Sequence, residues 1–86
     1  MSGEFPRRKD GLEINETHNG VIVYHESERR VARLNATAAI ILELCDGTHS
    51  AEAIAAALAG LFELDELPIE ETRGGLDILA AEGLLS

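Results

Sequence analysis

The side chains from which this 86-residue chain could build a catalytic or metal site are three histidines, one cysteine and sixteen carboxylates. His18 and His49 fall in or beside turns and His25 ends a strand-like run. None has a partner at metal-ligand spacing, so all three read as solvated or hydrogen-bonding imidazoles. Cys45 sits in an apolar helical run and reads as a buried thiol. As a lone cysteine it excludes a disulfide within the chain and a Cys-pair zinc site. No motif joins it to a histidine as a nucleophile and base. The carboxylates Glu63, Asp65, Glu66 and Glu70-Glu71 suit a solvated linker and a helix start. No phosphate loop, dinucleotide fingerprint or EF-hand loop is present. The chain is expected to have no catalytic residues, no metal and no cofactor.

The basic side chains are more informative. Residues 1–33 carry six basic and six acidic side chains, whereas residues 34–86 carry ten acidic ones and a single cation, Arg73, which accounts for the net charge of −9. Three arginines fall in one short run, Arg29-Arg30-Val31-Ala32-Arg33-Leu34. Before it the chain is strand-like; after it, helical.

Residues 1–11 read as a flexible tail, with Pro6 unable to donate to a ladder and Arg7-Arg8-Lys9 well solvated. Residues 12–86 form one domain. Leu12-Glu13-Ile14-Asn15-Glu16 alternates with period two, Asn19-Gly20 signals a hairpin, and Val21-Ile22-Val23-Tyr24 is a β-branched central strand. Glu26-Ser27-Glu28 makes a second turn into the strand Arg29–Leu34. Turns this short join neighbouring antiparallel strands, so the order is 1-2-3 and the third strand is an edge.

Asn35 then caps a helix running through Ala38, Ile41, Leu42 and Cys45, and Gly47 in Asp46-Gly47 supplies its left-handed cap. Ser50 caps a second helix whose buried face is Ile54, Leu58, Leu61 and Phe62. Leu64 and Leu67 of the linker are expected to tuck inward. Pro68 opens a third helix with Ile69, Thr72, Leu76, Leu79 and Gly83 on one face, closed by Gly83. Two glycines inside that helix, Gly74-Gly75, cost about 1 kcal/mol each relative to alanine, which makes sense where something packs close. The fold class is α+β: a winged helix-turn-helix, with a three-stranded antiparallel sheet followed by three helices.

Charge and composition then sort the functions. A winged helix suggests DNA, yet Ser50–Phe62 holds no Arg, Lys, Asn or Gln to read bases or grip phosphates, so no nucleic acid is expected. The acidic helices disfavour an anionic membrane, and no apolar run is long enough to span one. An acyl carrier would need a serine after an acidic motif at a helix start, which Asp46–Ser50 does not supply. What remains is an exposed edge strand that pairs with an extended peptide. Against it stands the plainer reading that Arg29, Arg30 and Arg33 only guard the edge.

From Leu34 the sequence LNATAAIILELCDGTHSAEAIAAAL, with the closing L-x-x-L-x-x-E-G-L-L of Leu76–Leu85, resembles the PqqD-like family. Its members are also known as recognition elements for ribosomally made, post-translationally modified peptides. The resemblance covers roughly residues 12–86. It implies a cytoplasmic, bacterial, non-enzymatic peptide chaperone that binds the leader of a precursor peptide and presents it to a modifying enzyme, often a radical S-adenosylmethionine enzyme. The implied contacts are Arg29, Arg30, Val31, Ala32, Arg33 and Leu34 on the strand. Arg73, Leu76, Asp77 and Ala80 follow on one helical stripe, with Arg73 a clamp for a leader carboxylate. The tandem Gly74-Gly75 departs from what the family leads one to expect there. The alternative is a winged-helix interaction or regulatory module that binds no leader.

Overall fold

In the computed structural model, which describes residues 5–26 and 28–86, alternation and capping place the elements in the expected order. The first four residues of the expected tail, and Ser27 of the expected second turn, lie outside the described residues. Strands β1 (Leu12–Thr17), β2 (Gly20–His25) and β3 (Arg30–Leu34) precede helices α1 (Ala36–Leu44), α2 (Ala51–Phe62) and α3 (Ile69–Ala81). The sheet is antiparallel in the order β1-β2-β3. Thr17 pairs with Gly20, so the first turn is the two residues His18-Asn19, and Gly20 already belongs to the ladder.

Period two in β2 and β3 sends Val23, His25, Ala32 and Leu34 into the core and leaves Val31 and Arg33 outside. Beneath the sheet, Ala38, Ile41, Leu42 and Cys45 from the α1 segment meet Ile54, Leu58, Leu79 and Leu84 in one aliphatic cluster. Both expected N-caps form: Asn35 Oδ1 accepts from Ala38 N at 2.8 Å and Ser50 Oγ from Ala53 N at 3.0 Å. Gly83, at φ +76°, ends α3 as expected and turns Leu84 back so that its N–H donates to Leu79 O.

Three expectations need correction. Pro6–Lys9 is not free: Gly47 N donates to Pro6 O, Arg8 N to Cys45 O, Ser86 N to Arg7 O and Lys9 N to Leu84 O, all within 2.7–3.0 Å. Proline lacks a donor, but its carbonyl still accepts. Gly47 is not the cap of α1, because the helix stops at Leu44 with Cys45 as C-cap and Gly47 serves this strap instead. Finally, Leu61, Phe62, Leu64 and Leu67 are exposed rather than buried. Glu63 turns left-handed at φ +55° directly after α2, and the linker then runs over the surface.

Candidate functional site

As the last strand of the sheet, β3 pairs with β2 on one side, and its other edge has no strand beside it among the described residues. Such an edge presents unpaired N–H and C=O groups to a further strand. The three arginines part company along it. Arg29 stands before the strand in a left-handed turn (φ +54°). Arg30 begins it, and its guanidinium reaches Glu82 just beyond α3, Nη2 to Oε1 3.8 Å. Arg33 is exposed on the outward face, opposite Ile22, while Ala32 and Leu34 are buried. Val31, also outward, is 59 % exposed.

Helix α3 packs on α1 and α2. Between the start of α1 and α3 lies a groove of about 370 Å³, lined by Asn35, Thr37, Ile41, Gly74, Gly75 and Ile78 among others. At 3.6 residues per turn, Glu71, Gly74, Gly75, Ile78 and Glu82 share one stripe of α3. The core stripe of Thr72, Leu76 and Leu79 lies next to it. Arg73, Asp77 and Ala80 fall roughly half a turn from Ile78, beyond the core stripe. The expected helical contacts are therefore not brought together with β3: Leu76 packs against the core, and Arg73, Asp77 and Ala80 are exposed away from the groove. What faces it instead is Ile78, 53 % exposed, above the two glycines.

Those glycines differ. A Cβ on Gly75 would lie 2.6 Å from Ile41 Cδ1, whereas one on Gly74 would meet nothing within 4 Å. The close approach expected at the pair is real at Gly75 alone, and Gly74 leaves the groove open. The one sequence signal for this stripe was the energetic cost of the glycine pair. The stripe faces the groove because Thr72, Leu76 and Leu79 beside it face the core, and Gly75 lets Ile41, thirty-odd residues earlier, pack close.

Burial pushes the Cys45 thiol up to about 11, against the opposing pull of the nearby Arg8 cation. Asp46 Oδ1 accepts from Thr48 Oγ1 at 2.6 Å and from Thr48 N at 2.9 Å, and lies 3.0 Å from His49 Nδ1. These bonds hold its carboxyl far below the usual carboxylate range. His25 is buried with Nδ1 3.6 Å from Glu28 Oε1, too long for a hydrogen bond. A hydrogen bond from Lys9 Nζ lowers Glu28. Among the described residues no three of His, Cys, Asp and Glu gather as a metal site would require, and no helix is long and apolar enough to cross a membrane.

Residues 20–85 match the PqqD family, described as coenzyme PQQ synthesis protein D, and the chain belongs to that family. Domains of this kind bind rather than catalyse. The solved structure of TbiB1 in complex with the TbiA(beta) leader peptide has the same fold. Its TM-score is 0.72 at 21 % identity, over 93 % of this chain and 94 % of that one. No curated protein matches the chain.

Proposed function

We propose that this protein binds the leader segment of a ribosomally made precursor peptide and is not itself an enzyme. The leader adds as a fourth strand to the free edge of β3, and its side chains enter the groove between α1 and α3. Main-chain hydrogen bonds along Arg30–Leu34 supply affinity, and the pockets that receive alternate side chains supply selection. The bound peptide is then presented in the cytoplasm to a separate modifying enzyme, for which the family resemblance favours a radical S-adenosylmethionine enzyme. The observation that carries this reading is the open edge of β3 lying beside an apolar groove in a member of the PqqD family. TbiB1, which shares the fold, was solved holding a leader peptide.

The contacts are revised from those the resemblance implied. Arg30, Val31, Ala32, Arg33 and Leu34 remain as strand contacts, Arg30 where it meets Glu82, and Arg29, which stands before β3, is set aside. On the helix, Gly74, Ile78 and Glu71 replace the stripe from Arg73 to Ala80. Titrating a candidate leader into isotope-labelled protein tests this by NMR. The amides of Arg30–Leu34, Gly74 and Ile78 are expected to shift together. Shifts confined to the face of Arg73, Asp77 and Ala80 would mean that the ligand lies elsewhere.

A further inference from the structure

The groove beside β3 does not end at the start of α3. Thr37 and Glu71 line it, and they also line a second cleft of about 380 Å³ that continues towards the end of α2. The rest of that cleft is Leu58, Phe62, Leu64 and Pro68. Phe62 and Leu64 are 46 % and 45 % exposed, with Leu61 and Leu67 still more open beside them. Four large apolar side chains left in water within seven positions form a patch, and such patches mark interaction sites. Glu71 lines the cleft, and the chain around the apolar residues adds the exposed carboxylates Glu63, Asp65, Glu66 and Glu70, with no Lys or Arg between Leu34 and Thr72.

We infer that the bound peptide is longer than its strand-paired part. Leaving β3 at the Leu34 end, it crosses Thr37 and Glu71 and seats a bulky apolar side chain in the second cleft, with Lys or Arg beside it facing these carboxylates. This rests on the peptide-binding reading above and extends it to the chemistry of the ligand. Continuity argues for one chain in both places, because the same two residues wall both clefts. Charge argues for a basic occupant and against a second copy of this protein, which would bring the same carboxylates to the contact. Nucleic acid is excluded by the same carboxylates.

The test uses a displayed library of random peptides, each longer than β3, selected on the full chain. Selected peptides are expected to carry an apolar residue next to Lys or Arg at one end. Removing that end should weaken binding roughly tenfold to the native protein and leave binding to the Phe62→Ser, Leu64→Ser double variant unchanged. Both positions are exposed, and circular dichroism checks the fold of the variant. Should it melt early, Asp65→Lys with Glu66→Lys, which spares the apolar wall, must weaken the full-length peptide alone. If shortened and full-length peptides bind the native chain equally, the second cleft is not used and the inference is wrong, while β3 binding stands. If no selected peptide moves the Val31 and Arg33 amides, which by the register face the free edge, the reading of the β3 edge itself fails. If the serine pair alters only self-association in the ultracentrifuge, the cleft is a contact between copies, which overturns the inference.

Discussion

Ile41 Cδ1 fills the space in front of Gly75, where an added Cβ would lie 2.6 Å from it. Ile41 is buried at the α1–α3 contact, so its side chain must shift before a Cβ at Gly75 can fit. One turn of α3 thereby packs close on α1, beside the core stripe of Thr72, Leu76 and Leu79 that turns this face of the helix to the groove.

The two glycines should therefore respond to alanine with opposite signs. Gly74→Ala fills open space and gains helix propensity, so stability in urea should rise by about 1 kcal/mol. The same methyl narrows the groove and should weaken a bound peptide. Gly75→Ala gains the same propensity but overpacks the α1 contact, which costs about 1–3 kcal/mol. The net change should be a loss, relieved when Ile41→Val is added. Equal effects at both sites would mean that Ile41 does not limit the space in front of Gly75.

Local features were legible in the sequence, and long-range ones were not. Asn35 and Ser50 cap their own helices within three residues, so side-chain type and spacing sufficed. Period two marked the strands, though Arg29, expected in the third, turns left-handed just before it. The buried stripe of α3, Thr72, Leu76 and Leu79, was legible from its helical spacing, whereas the contacts Arg73, Asp77 and Ala80 came from the resemblance alone and do not line the groove between α1 and α3. Phe62 looked like core because it keeps helical spacing with Ile54 and Leu58. It lies at the last turn, where the linker leaves over the surface. Pro6–Lys9 looked free because its partners, Cys45, Gly47, Leu84 and Ser86, are far along the chain.

Arg8 should matter more than a tail residue would. Its Nη1 donates to Glu43 O at 2.9 Å and makes a longer 3.5 Å contact to Leu42 O, among the last carbonyls of α1. That helix has no basic residue in its own last turn. The cation thus complements the negative end of the helix from a distance in sequence. Arg8→Ala should cost about 1–2 kcal/mol in urea denaturation, and Arg8→Lys should recover part of it. No change in either variant would make the strap a surface contact without energetic weight.

Cys45 sets a stability change at high pH. Its thiol is pushed from 9.0 to about 11 in the fold. The unfolded chain ionises nearer the lower value, so the native state holds its proton where the unfolded state has lost it. The stability this gives is fully present below 9.0 and is lost as pH rises towards about 11. Urea unfolding should show that decline in the native chain, and Cys45→Ala should reduce it. Near neutral pH an alkylating reagent should modify Cys45 only on unfolding, as mass spectrometry can follow. Rapid labelling of the folded protein would contradict the burial.

Arg33 separates protection of the strand from selection of a ligand. Arg30 is engaged by Glu82 and Arg29 stands outside β3, which leaves Arg33 as the cation on its outward face beside Val31. Charged side chains on free edges oppose pairing with another sheet. Arg33→Val would join Val31 and the cross-strand Ile22 to a further aliphatic side chain, making one uncharged apolar surface along that edge. Stability should change by no more than about 0.5 kcal/mol. Sedimentation velocity should show stronger self-association with concentration than in the native chain. A peptide that occupies the β3 edge should reverse it, because the same backbone groups cannot pair twice. Association that persists under saturating peptide would place the contact elsewhere, and an unaltered sedimentation profile would mean that the guanidinium does not guard the edge.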